Sequence, residues 1–152
     1  MHILLATIGK FKSGPEAALY EHYTKRLLWK TTLKEFDIKK PLPPEQKKLQ
    51  EAELLLGACK EADHIIALDE TGREMGSQEF ASHLRRREDA GDRKIAFIIG
   101  GADGLHESVR KRANLLLSFG RVTWPHLLVR GLIAEQLYRA YTILNNHPYH
   151  RE

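Results

Sequence analysis

Cysteine is nearly missing from this chain, with Cys59 its sole example. One thiol closes no internal disulfide and builds no cysteine metal cluster, so no metal centre is expected. Long apolar runs are missing as well. No stretch approaches the roughly 18–20 apolar residues that a membrane helix needs. The opening Met1-His2-Ile3-Leu4-Leu5-Ala6 is apolar at once and lacks the basic segment of a secretory leader. These absences predict a cytoplasmic protein with no membrane partner. Repeats, low-complexity tracts and inter-domain linkers are also lacking, and Pro41, Pro43 and Pro44 mark a loop too short to divide the chain. A length of 152 residues with 42% hydrophobic and 29% charged residues suits one globular domain over 1–152 and argues against disorder.

An excess of either charge is missing from the first two-thirds. Residues 1–104 carry 17 Lys and Arg against 17 Asp and Glu, whereas 105–152 carry 7 against 3, so the whole formal excess of +4 lies in the last third. His106, His126, His147 and His150 lie there too. A basic C-terminal face suits a polyanion such as RNA, although a solvated surface accounts for so small an excess equally well.

What is present is an alternation of short apolar runs with helical patterns. Ile3 to Ile8 reads as a buried strand ended by Gly9. Pro15 opens a helix expected to reach about Trp29, a core residue. Thr31 to Ile38 is β-rich, and a charged helix from about Glu45 to Lys60 carries Cys59 as a bystander. His64 to Leu68 is the next strand, after which Ser77 is expected to cap a helix bearing Phe80 and Leu84. Lys94 to Ile99 is a strand, and a short basic helix from about His106 leads to a strand at 115–119. Pro125 opens a last helix with Leu128, Leu132, Leu137, Tyr141 and Leu144 on its apolar side, stopped by Pro148. Five strands interleaved with helices predict an α/β fold, a mainly parallel sheet flanked by helices.

In open α/β sheets, ligands bind beyond the carboxyl ends of strands. Three loops qualify: Leu68 to Gly72, Ile99 to Gly104, and Phe119 to His126. The second, Gly100-Gly101-Ala102-Asp103-Gly104, is neither a Walker loop, since no Gly-Lys-Ser/Thr follows, nor a dinucleotide fingerprint, which belongs in the first β-α unit. Alone it reads equally as a tight turn before a helix.

Taken together, these segments resemble the RlmH family of SPOUT methyltransferases. Thr7-Ile8-Gly9-Lys10-Phe11-Lys12, Glu21 to Leu27, the three loops, Arg130 to Ala140 and the closing Asn146-His147-Pro148-Tyr149-His150-Arg151-Glu152 carry the likeness, which runs end to end. It implies a SPOUT-type fold with a C-terminal trefoil knot, an exception to ordinary chain topology. It also implies a homodimer with its active site completed across the interface, S-adenosyl-L-methionine as cofactor, and methylation of N3 of a pseudouridine in 23S rRNA, on the assembled ribosome. Leu68, Gly100, Phe119, Gly120, Arg121, Val122, Thr123 and Trp124 match the family's cofactor positions. His126, Glu135, Arg139, Tyr149, His150 and Arg151 form the expected catalytic and RNA-contacting set.

The residue chemistry leaves several roles open. The acceptor N3–H must lose its proton, and His126, His150 and Glu135 all have suitable chemistry. Arg139 and Arg151 suit phosphates or charge on the uracil oxygens, and Tyr149 suits stacking on a base. Glu135 and Arg139 also make an ordinary i,i+4 surface pair. His126 serves equally as a helix cap, and Arg130 belongs to a dimer interface or the surface. Tyr138 and Tyr141 are core or interface, and Arg85-Arg86-Arg87 is a solvated helix end. Two other functions compete: an RNA-binding protein of this fold that has lost methyl transfer, and a SPOUT enzyme acting on another RNA such as tRNA.

Overall fold

The computed structural model describes residues 1–151; Glu152, the end of the tail that carries the resemblance, lies outside them. The chain runs β1 (His2–Ile8), α1 (Pro15–Thr24), β2 (Lys30–Phe36), α2 (Pro44–Ala58), β3 (His64–Glu74), α3 (Ser77–Asp89), β4 (Lys94–Ile99), α4 (Glu107–Arg112), β5 (Leu115–Ser118) and α5 (His126–Leu144). The strands form one sheet in the order β2-β1-β4-β3-β5, and every pairing is parallel.

The continuous apolar runs arise because the sheet is buried on both faces. Successive side chains point to opposite sides. Ile3, Leu5, Ile66, Ile95, Phe97, Ile99 and Leu117 thus enter one core with α1, α3 and α5. Leu4, Ala6, Ile8, Ile65, Ala67, Ala96 and Ile98 enter a second core with α2 and α4. Cys59 is fully buried in that second core, and burial pushes its thiol up to about 11, so it is an inert packing residue, a bystander to any chemistry.

Several boundaries differ from the sequence reading. The first helix stops at Thr24, five residues before Trp29. Its final carbonyls are taken by the amides of Lys25, Arg26 and Leu27, and the chain must then reverse so that Lys30 pairs with His2. Trp29 is only partly buried, edge-on to Tyr141 at 5.4 Å. Ser77 does not cap α3. Gly76 holds that position, and the Ser77 hydroxyl donates to Gln136 Oε1 of α5 at 2.8 Å.

The last helix ends before Pro148 acts. Asn146 adopts φ 56°, its amide bonds to the Ile143 carbonyl, and the His147 amide bonds to the Thr142 carbonyl. This is a Schellman closure with asparagine in the usual glycine place. The buried seam of α5 is Arg130, Ile133, Ala134, Leu137, Tyr138 and Ala140, whereas Leu128 and Leu132 are only half-buried. Because α5 packs against both α1 and α3, two of its sides are covered and no single stripe describes it.

Candidate active site

A cleft of about 680 Å³ opens beyond the carboxyl ends of β3, β4 and β5. All three loops singled out in the sequence line it. Leu68 and Leu117 give it apolar walls, and Trp124 closes one side with its indole N–H donating to the Phe119 carbonyl at 3.2 Å.

The glycine loop fits its place tightly. A Cβ on Gly100 would lie 2.8 Å from Leu105 Cδ2 and 3.2 Å from the Gly104 carbonyl oxygen. Gly104 turns at φ 82°, which lets the loop close on itself by a bridge between Gly101 and Gly104.

Side chains not expected to matter lace the other two loops together. Ser118 is 4% exposed. Its hydroxyl accepts from the Gly120 amide at 3.1 Å and lies 3.1 Å from the Glu70 carbonyl and 3.0 Å from the Gly120 carbonyl, to one of which it donates. Asp69 pairs with Arg110 of α4 at 2.7 Å, and Arg110 also donates to the Thr71 hydroxyl. Between Leu68 and Arg73 the pairing of β3 with β5 is interrupted. Gly72 there lies so close to β5 that a Cβ would stand 2.6 Å from the Leu116 carbonyl carbon.

Of the eight positions carried over for the cofactor, Leu68, Gly100, Phe119, Gly120, Val122, Thr123 and Trp124 line the cleft. Arg121 is exposed and does not. Backbone N–H and C=O groups beside apolar walls, with no room for a side chain at Gly100, suit a nucleoside-sized ligand. Among the described residues, no group of three or more His, Cys, Asp or Glu could hold a metal ion.

The expected catalytic residues separate into two groups. His126, the first residue of α5, lines the cleft; Pro125 occupies the cap position, so His126 is not the cap. Burial, and then the nearby Arg130, lower its pKa, which keeps the imidazole neutral near pH 7.

Glu135, Arg139, Tyr149 and His150 form the second group, around the far half of α5. Arg139 donates to Glu135 Oε1 through both Nε (2.9 Å) and Nη2 (2.5 Å). The same oxygen accepts from the Tyr149 hydroxyl at 3.0 Å. The i,i+4 pair is therefore real, but it is the base of a larger network. The Arg139 and Arg26 guanidinium groups lie over the Tyr149 ring at 4.9 and 5.7 Å, and Tyr138 packs against it edge-on at 4.8 Å.

Arg139 Nη1 lies 3.1 Å from His150 Nδ1. A guanidinium only donates, so Nδ1 is the acceptor and the ring proton of neutral His150 sits on Nε2. That Nε2 is buried and has no partner within the chain. Arg151 is exposed.

Arg130 is the largest departure. Expected at a surface or interface, it is 0% exposed. It donates to Glu35 Oε2 at 2.7 Å and to the carbonyls of Ile8 (3.0 Å) and Gly9 (2.7 Å). The signal available in the sequence was its place inside an apolar run, Leu127-Leu128-Val129-Arg130-Gly131-Leu132-Ile133.

The chain is similar to known proteins along nearly its whole length. Residues 1–150 match a family model described as "Predicted SPOUT methyltransferase". A protein of Paramagnetospirillum magneticum named ribosomal RNA large subunit methyltransferase H is 54% identical, covering 99% of each chain. Its namesake in Rhodospirillum centenum is 50% identical, again over 99% of both. Among solved structures, a probable methylase family protein of Haemophilus influenzae matches 99% of this chain and 70% of its own, with a TM-score of 0.59 at 16% identity. A candidate methyltransferase from Legionella pneumophila, solved with its bound cofactor SAM, matches 92% of this chain and 66% of its own, with a TM-score of 0.51 at 14% identity.

Proposed function

Because the chain belongs to the SPOUT methyltransferases, among relatives named ribosomal RNA large subunit methyltransferase H, we propose that it methylates N3 of a pseudouridine in 23S rRNA, in the cytoplasm and on the assembled ribosome, using S-adenosyl-L-methionine. The observation that carries this reading is the cleft built from three strand-end loops, seven of whose lining residues are those the family resemblance assigns to the cofactor.

S-adenosyl-L-methionine, when bound, supplies an already activated methyl group on a sulfonium, so the protein's work is mainly positioning. Leu68, Gly100 and the run Phe119, Gly120, Val122, Thr123 and Trp124 would hold it. Arg121, exposed beside this run, is better placed to meet phosphate than cofactor.

The acceptor nitrogen must shed a proton. Glu135 is already engaged by Arg139, Tyr149 and Gln136, and His150 presents a donor rather than an acceptor. His126, neutral and in the cleft, is the proposed proton acceptor. The buried, unpartnered His150 Nε2–H is suited to a uracil oxygen, where charge grows during transfer, once the tail shifts to uncover it. Arg139 orients His150, Tyr149 covers that end of the network, and the exposed Arg151 is suited to phosphate.

These two groups stand apart along α5. Thirteen residues separate His126 from Arg139, about 20 Å at 1.5 Å per residue. His126 and Arg139 of one chain are therefore poorly placed to act on one base. This supports a homodimer in which a second copy brings its tail to the cleft. The exposed Val122 and Trp124 and the half-buried Leu128 and Leu132 offer it apolar surface. The trefoil knot belongs to the same reading.

The test is incubation with labelled S-adenosyl-L-methionine and ribosomes, large subunits or naked rRNA from a strain lacking the enzyme. Label in 23S rRNA at one pseudouridine is expected. Label in tRNA alone would move the substrate, and no label in any RNA would reduce the protein to a binding module.

A further inference from the structure

The loop Gly9–Gly14 leaves the sheet beside the cleft. Thr7 pairs with Ile99, so the end of β1 adjoins the Gly100 loop, and a Cβ on Gly101 would meet Ile8 at 3.1 Å. On its other side the loop meets α5, where a Cβ on Gly9 would lie 3.1 Å from His126 Nε2.

The root of this loop is held with unusual force for a surface segment. Buried Arg130 takes the carbonyls of Ile8 and Gly9 with Nη2 and Glu35 Oε2 with Nη1. Glu35 Oε2 also accepts from the Phe11 amide at 2.6 Å. The Arg130 guanidinium lies 4.5 Å from the Phe11 ring centroid, and Phe11 in turn packs on Tyr20 at 5.5 Å. Burying a guanidinium is costly unless its donors are used; here Nη2 is spent on two backbone carbonyls at the loop's root and Nη1 on Glu35, while Nε is buried without a partner. Gly9 at φ 91° makes the turn that this arrangement needs.

Beyond that fixed root, Lys10, Lys12 and Ser13 are exposed. Among the described residues neither lysine takes part in a salt bridge. Two unpaired ammonium groups thus flank Phe11 on a lip whose root, at Gly9, is fixed beside His126.

We propose that this lip is a contact surface for the phosphate backbone of the RNA substrate, and that Arg130 is the positioning residue that holds it in register with the cleft. The inference rests on the function proposed above for its substrate class. Lysines at fixed spacing bind phosphates without reading sequence, and so set how the target strand enters the cleft. Asp and Glu side chains are absent from Gly9–Gly14, so nothing in the loop opposes a polyanion.

The test compares wild type, Lys10→Ala/Lys12→Ala, Arg130→Lys and the triple variant. Binding to large ribosomal subunits and to protein-stripped 23S rRNA is followed across a salt series, beside S-adenosyl-L-methionine affinity and methyl transfer. The lysine pair is expected to weaken binding to both RNA forms and to reduce the slope of log Kd against log salt by about 2, one per lost phosphate contact, while cofactor affinity stays at wild type. Arg130→Lys keeps the charge but not the fork. If it folds, it should weaken RNA binding without additivity with the lysine pair, because both act through one lip.

An unchanged salt slope for the lysine pair would overturn the proposal. So would weakened binding to subunits with intact binding to stripped rRNA, since the lip would then contact ribosomal protein. The lysine variant alone decides the surface if Arg130→Lys unfolds. Full additivity would remove Arg130 from the role. If wild type binds RNA with the expected salt dependence but transfers no methyl, the enzymatic reading fails and this one stands.

Discussion

Single glycines show how unevenly this chain tolerates change. At Gly72 an added Cβ would meet the carbonyl carbon, carbonyl oxygen and amide nitrogen of Leu116 and Leu117 at 2.6–2.8 Å. Those are backbone atoms of β5, fixed by pairing with β3, and cannot rotate aside. Gly57, in the last turns of α2, has nothing within 4 Å of the same added atom. Gly72→Ala should destabilise by about 1–3 kcal/mol or more, as overpacking does, and should displace the Leu68–Gly72 loop from the cleft. Gly57→Ala should stabilise by roughly 0.5–1 kcal/mol, since it removes helix-opposing backbone freedom. Urea titration of the two variants beside wild type measures both. Equal midpoints for the two would show that the β3–β5 crossing is looser than the geometry requires.

Residues also mark where sequence reading stopped. Leu68, Gly100 and Phe119–Trp124 could be named because strand-end loops with glycines have a recognisable form, and because they match a family pattern. Ser118, Asp69 and Arg110 could not. Their importance is in which backbone groups they reach across the sheet, and a hydroxyl or an ion pair in a loop carries no such information in one dimension. Arg130 was misplaced because charge predicts exposure on average, and the partner that reverses this, Glu35, lies 95 positions away in the chain.

At the scale of elements, strands were easier to find than helix ends. A strand buried on both faces is a continuous apolar run that ends at glycine or charge, as β1 and β4 do. Helix α1 ended early because β2 must begin beside His2, a condition set by the sheet and not by helical spacing. The contact between β3 and α3 carries its own prediction. His64 and His83 meet Nε2 to Nε2 at 3.1 Å, so one donates and the other accepts, and both must be neutral or nearly so. Burial, then His83 and Arg87, lower His64 to about 4, with Asp92 opposing. Burial, then Arg86, Arg87 and Arg73, lower His83, with Glu79 opposing. A histidine whose folded pKa lies below its unfolded value of 6.5 leaves the unfolded chain holding more protons between those two values. Stability should therefore be level above pH 6.5 and fall as the pH drops toward 4, by up to roughly 3 kcal/mol from His64 alone. Urea midpoints from pH 7.5 to 4.5 should follow this course, and His64→Phe should flatten most of it. A wild-type curve already flat over that window would mean that the pair is solvated.

The whole molecule poses a question of assembly. His126 and Arg139 lie about 20 Å apart along α5, so bringing both to one base needs either a rearrangement within one chain or a second chain. Two inactive variants separate these routes. Trp124→Ala opens the cleft but keeps the tail; a chain ending at Pro148 keeps the cleft but lacks Tyr149, His150 and Arg151. Each alone should transfer little or no methyl. If the site is shared across a twofold interface, a mixed dimer joins the intact cleft of the shortened chain to the intact tail of the Trp124→Ala chain. Half of randomly paired dimers are mixed, and one of the two sites in each is complete, so re-paired equal mixtures should recover about a quarter of wild-type turnover. If each chain uses its own tail, every site in every dimer lacks a part and the mixture stays inactive. The outcome also tells how the tail network works. Recovery would mean that the tail carrying Tyr149, His150 and Arg151 acts beside the cleft of the other subunit.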